Sequence, residues 1–147
     1  MKRHTPEIHS SYLDRFLDTM QLCEIIKLAV KKLHGKQFEA FAFRGMSGAL
    51  LAPPLALKMK KTLIMVRKPG QCHTDRTVEG DAAAERYIIV DDFVSTGETI
   101  RTIVEEVTKA FPRATCIGLL KLRDIGRCDY GESFLPIEQL RRRYGVK

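Results

Sequence analysis

The sequence has no long apolar run. No stretch approaches the ~20 apolar residues that a membrane-crossing helix needs, so a helical span is not expected. Residues 1–10 carry Lys, Arg, two His, Pro and Glu and no apolar segment, so they do not resemble a secretory leader. The four cysteines, Cys23, Cys72, Cys116 and Cys128, form no C-x-x-C pair, and no His is spaced to complete a zinc site. They are expected to be reduced thiols in a cytoplasmic protein, with a disulfide pair as the lesser alternative. Repeats, low-complexity tracts and long linkers are also missing, so residues 1–147 are expected to form one domain.

What is present suits a globular protein. The chain has 147 residues, enough for a proper core, and a hydrophobic content of 44%. Its formal net charge of +7 suits nucleic acid, an anionic membrane or an anionic small molecule, and does not choose among them. Arg141, Arg142 and Arg143 fall together on an expected tail helix and are taken as a solvated face.

Periodicity gives the order of elements. Residues 14–33 form an amphipathic helix: Leu17, Leu22, Ile25, Ile26, Ala29, Val30 and Leu33 make an apolar stripe, and Gly35 follows as a stop signal. Covering a sheet is its expected role, and lying on a membrane is the lesser one. A strand is expected over 38–43. After it, a glycine-containing loop, Arg44-Gly45-Met46-Ser47-Gly48, leads to a helix over about 49–60 that Pro53 and Pro54 should kink or delay. A second strand covers 62–66 and ends in Arg67-Lys68-Pro69-Gly70. Residues 71–84 are polar and aperiodic, hence a loop. A third strand covers 87–90, a helix 98–110 and a fourth strand 114–122. Residues 123–135 are polar, and a short helix is expected over 136–144. This alternation specifies an α/β fold with a mainly parallel twisted sheet flanked by helices.

One stretch carries most of the chemistry. The strand Tyr87-Ile88-Ile89-Val90 leads directly into Asp91-Asp92-Phe93-Val94-Ser95-Thr96-Gly97-Glu98-Thr99, and a helix begins there. A helix amino end offers unpaired N–H groups and a positive dipole end, which suit a phosphate. Thr96 and Thr99 add hydroxyls, and Gly97 permits close backbone approach. Paired carboxylates suit sugar hydroxyls, directly or through a divalent cation and its waters. Together they point to a sugar phosphate. A plainer reading leaves the two acids as caps of the next helix. Arg67 and Lys68 stand at another strand's carboxyl end, where cations neutralise phosphates, although a lone pair of this kind is usually solvated surface charge.

Residues 87–99 resemble the phosphoribosyl diphosphate (PRPP) signature of type I phosphoribosyltransferases: an apolar strand, two acidic residues and a loop ending Thr-Gly-x-Thr. The likeness extends over roughly 38–122, leaving helix 14–33 and segment 123–147 as additions. It implies transfer of a phosphoribosyl group from PRPP to a nitrogenous base, with release of pyrophosphate and with Mg²⁺ bound to PRPP.

In that scheme Asp91 and Asp92 hold the ribose hydroxyls and the metal, through water. Residues Val94, Ser95, Thr96, Gly97, Glu98 and Thr99 hold the ribose phosphate. Arg44, Gly45, Met46, Ser47, Arg67 and Lys68 hold pyrophosphate, with His73 and Arg76 as candidates from the flexible loop. Phe93 is a candidate for stacking on the base, or equally for the core. The loop over 71–84 departs from the patterns of adenine and orotate enzymes. Ser95 stands where oxopurine enzymes often have Asp, which argues against a hypoxanthine or guanine acceptor. Arg-Lys-Pro-Gly resembles adenine enzymes and Val-Ser-Thr-Gly orotate enzymes, so the acceptor stays open between them. The resemblance also implies a homodimer. Two alternatives are a non-catalytic PRPP-sensing regulator and a basic nucleic-acid-binding module on the same fold.

Overall fold

A computed structural model describes residues 13–68, 70, 75–125 and 132–147. The described elements, in chain order, are α1 (Asp14–Leu17), α2 (Thr19–Leu33), β1 (Ala40–Phe43), α3 (Gly45–Met59), β2 (Thr62–Val66), β3 (Val78–Gly80), β4 (Arg86–Asp91), α4 (Glu98–Ala110), β5 (Thr115–Lys121), β6 (Phe134–Pro136) and α5 (Ile137–Tyr144), with a 3₁₀ turn over Leu122–Asp124. The strands form one sheet in the order β3-β2-β1-β4-β5-β6. The four inner strands are parallel; β3 and β6 pair antiparallel at the two edges. The expected α/β fold with a mainly parallel sheet is therefore observed.

Burial on both faces explains the inner strands. Along β4, Tyr87 and Ile89 face one core with Ala40, Ala42, Ile100 and Leu140. Ile88 and Val90 face the other, with Phe41, Phe43, Leu51, Leu55 and Ile26. Successive side chains on a strand point to opposite faces, so a run that is apolar throughout has to be covered twice. Helices α2 and α3 cover one side; α4 and α5 cover the other.

Four elements differ from their sequence expectations. The expected single helix over 14–33 breaks at Asp18, whose extended backbone (ψ 112°) lets its carboxylate accept from the N–H groups of Met20 and Gln21 and cap α2. Of the kink or late start expected at Pro53 and Pro54, the late start does not occur: α3 starts at Gly45 and runs through both prolines. Each interior proline costs roughly 3 kcal/mol, and the complete burial of Leu51, Ala52 and Leu55 offsets that loss. Gly48 also lets α3 close onto β1, since a Cβ there would lie 2.7 Å from Phe43 Cβ. Finally, β3 and β6 arise inside stretches expected to be irregular.

Candidate active site

Chain direction across the sheet determines where a cleft opens. From β1 the chain passes to β2 on one side, then crosses back to β4 on the other. Loops leaving β1 and β4 therefore diverge, and a crevice forms at the carboxyl ends of those strands. A cleft of about 310 Å³ lies there, walled by Arg44, Gly45, Met46 and Ser47 after β1, by Lys68 after β2, and by Asp91 through Ile100 after β4. Three sequence-separated loops thus converge on one crevice.

The two acids are held close to the protein interior. Asp91 is 9% exposed and Asp92 5% exposed, yet both line the cleft. Asp91 Oδ1 accepts from Asp92 N–H at 2.8 Å. Ser47 Oγ lies 3.3 Å from Oδ1 of each carboxylate. A hydroxyl has one proton, so it serves the two acceptors only in alternation or by sharing. Asp92 Oδ2 is buried and has no hydrogen-bond partner among the described residues. Burial, followed by the adjoining Asp92 carboxyl, pushes Asp91 well above the ordinary carboxylate range, to about 7. An underpaired, buried carboxylate pair of this kind lowers its energy on meeting hydroxyl donors or a hard cation.

The turn before α4 adds groups that suit an anion. Gly97 caps α4 in the left-handed conformation (φ 81°), and α4 is directed away from the cleft. Glu98 N–H donates to Thr96 Oγ1 at 3.3 Å, which rounds the turn. The amide hydrogens at the start of a 13-residue helix then lie next to the cleft, with Lys68 and Arg44 among the lining residues.

Not every candidate converges. Lys68 lines the cleft, but Arg67 does not: its guanidinium pairs with Glu79 on β3 at 2.6 Å. The β2–β3 pairing places Arg67 N–H on Thr77 O at 2.8 Å and so directs this residue toward the sheet edge. Arg76 lines a separate depression with Val78, Glu106 and Phe111. His73 lies outside the described residues. Phe93 lines the cleft, half-buried, with the Arg123 guanidinium 5.2 Å from its ring centroid. Two residues absent from the sequence expectations contact the turn over 96–97, Arg101 and Tyr144. No motif marks either of them, because their role depends on where α5 packs.

No family model matches the chain. Sequence relatives do. It is 32% identical over 98 residues to the adenine phosphoribosyltransferase of Kosmotoga olearia, covering 53% of this chain and 54% of that protein. It is 32% identical over 87 residues to the orotate phosphoribosyltransferase of Sulfolobus acidocaldarius, covering 58% of this chain and 44% of that one. The crystal structure of adenine phosphoribosyltransferase from Thermoanaerobacter pseudethanolicus superposes with a TM-score of 0.60 at 23% identity, over 73% of this chain and 70% of that one. The chain is thus similar in sequence to adenine and orotate phosphoribosyltransferases and shares the fold of their solved structures. It spans about half the length of the curated relatives it matches. The matches favour neither the regulatory nor the nucleic-acid alternative.

Proposed function

We propose that this chain is a PRPP-dependent phosphoribosyltransferase that transfers the phosphoribosyl group to a nitrogenous base. The observation that carries the proposal is the cleft itself, which paired buried carboxylates and a helix amino end line together, the two kinds of group that a sugar phosphate would meet. Relatives named for adenine and for orotate support the reaction class and leave the same two acceptors.

In this reading the turn over 94–99 binds the ribose 5-phosphate through amide hydrogens and the Thr96 and Thr99 hydroxyls. Asp91 and Asp92 orient the ribose 2- and 3-hydroxyls. The bond from the anomeric carbon to pyrophosphate breaks ahead of attack, its electrons leaving with pyrophosphate, and the base nitrogen then bonds to that carbon and releases its proton to solvent. Positive charge on the ribose ring peaks between the two events. Two carboxylates beside that ring stabilise it without forming a covalent bond, so positioning and electrostatics do the catalytic work. Lys68, Arg44 and the first turn of α3 receive the departing pyrophosphate.

Mg²⁺ fits the donor set. Among the described residues Asp92, which lines the cleft, has a buried Oδ2 without a hydrogen-bond partner, and no group of three or more His, Cys, Asp or Glu could supply a full metal cage. Two carboxylates with water and phosphate oxygens are what Mg²⁺ accepts, and when bound it neutralises charge on pyrophosphate. A homodimer and a cytoplasmic location belong to the same proposal and rest on the family likeness. Among the described residues no helix is long and apolar enough to cross a membrane.

A screen for pyrophosphate release from PRPP and Mg²⁺ with adenine, orotate and other bases tests the proposal. Release with one base and not the rest is expected; no release with any of them would contradict turnover.

A further inference from the structure

The turn that faces the cleft is braced from behind by the end of the chain. Arg101 Nη1 donates to Thr96 O at 3.3 Å and to Tyr144 O at 2.8 Å. A single guanidinium thus ties the turn before α4 to the last residue of α5. Beside this tie, the Tyr144 side chain lies directly behind Gly97: a Cβ built on Gly97 would come within 2.8 Å of Tyr144 Cβ and Cδ1. Helix α5 is itself anchored, with Leu140 fully buried and Val146 buried in the same core as Ile100 and Ile103 of α4.

These contacts fix a direction as well as a position. A trans peptide points its C=O and the next N–H to opposite sides. Holding Thr96 O on Arg101 therefore holds the Gly97 N–H, one of the amides of the cleft turn, on the side away from Arg101. Packing of Tyr144 against Gly97 blocks retreat of the turn. Arg101 also satisfies a carbonyl at the carboxyl end of α5, where a cation is favoured, so the tie stabilises both elements.

We propose that Arg101 and Tyr144 are positioning residues for the phosphate-binding turn, and that the segment carrying α5 sets the chain's affinity for a phosphate monoester. This rests on the reading that the turn binds ribose 5-phosphate.

The test is calorimetric binding of ribose 5-phosphate and, separately, of pyrophosphate with Mg²⁺, to the full chain and to Arg101→Ala, Arg101→Lys and Tyr144→Ala. Losing one charge-assisted hydrogen bond that holds the turn should weaken ribose 5-phosphate by about tenfold in Arg101→Ala. Pyrophosphate affinity should stay at the parent value, because its expected site lies on α3 and Lys68. Arg101→Lys should recover part of the loss. With PRPP as substrate, KM should rise more than kcat falls. Unchanged ribose 5-phosphate binding in Arg101→Ala, with the parent chain binding normally, overturns the positioning role alone. Failure of the parent chain to bind ribose 5-phosphate overturns the underlying reading and the brace with it. If Arg101→Ala does not fold, Arg101→Lys and Tyr144→Ala decide: equal weakening of both ligands marks a general structural role and overturns the proposal, and selective weakening of ribose 5-phosphate supports it.

Discussion

Asp91 and Asp92 reach for the same proton: Ser47 Oγ stands 3.3 Å from Oδ1 of each. Two adjacent carboxylates with one hydroxyl between them, at 9% and 5% exposure, are short of donors. Burying such a pair costs free energy, which hydroxyl donors or a cation would offset. Sites that hold such unfavourable groups trade stability for function.

That trade has a pH signature. Burial, then the adjoining Asp92 carboxyl, raises the Asp91 pKa in the folded chain to about 7, from an ordinary value of roughly 4 when unfolded. Between those values the native state holds the extra proton, so this group makes stability fall as pH rises through the window. Asp91→Asn should therefore raise the melting temperature over the parent at pH 8 and change it little at pH 4. Equal melting temperatures at pH 8 would contradict the placement of Asp91 in a donor-poor site.

The two cations after β2 should differ. Lys68 lines the cleft, whereas Arg67 is committed to Glu79. Lys68→Ala is expected to weaken pyrophosphate by about tenfold, the loss of one charge-assisted contact, and Arg67→Ala by no more than about twofold. Binding isotherms of the two variants check this, and a larger effect at Arg67 would reverse the assignment.

Gly97 admits no side chain, for two independent reasons. Its φ of 81° disfavours any L-residue, and Tyr144 occupies the space a Cβ would need. Gly97→Ala should cost about 1–3 kcal/mol of stability in chemical denaturation, the range for local backbone strain. A neutral result would mean that the turn and α5 separate easily.

Tyr87 sits in the middle of the sheet with its hydroxyl buried and without a partner among the described residues. Burial also raises its pKa, consistent with a hydroxyl far from water. Tyr87→Phe removes an unsatisfied donor while keeping the ring, so it should stabilise the chain by roughly 1 kcal/mol. A lower melting temperature would reveal a partner for that hydroxyl.

Much of this was legible in the sequence, for reasons that particular elements make plain. Helix α4 begins at Glu98 and ends at Ala110 as its periodicity specifies, because Gly97 and Pro112 bound a clean apolar stripe. Strand β4 is legible because an unbroken apolar run has to be buried on both faces. Strands β3 and β6 are not, since three residues carry no usable period and their pairing depends on β2 and β5. The start of α3 at Gly45 is hidden by two prolines whose cost only the tertiary packing offsets. Likewise, nothing local to Tyr144 announces that it stands behind Gly97. Motif chemistry located the cleft; the brace behind it depends on the fold.

Titration of PRPP with Mg²⁺ into the parent chain and into the double variant Asp91→Asn, Asp92→Asn addresses the central claim most directly. The expected outcome is saturable binding to the parent, and a double variant that stays folded but has lost turnover with the base identified by the pyrophosphate-release screen. Wild-type-like turnover in the double variant, or no PRPP binding by the parent, would contradict the account.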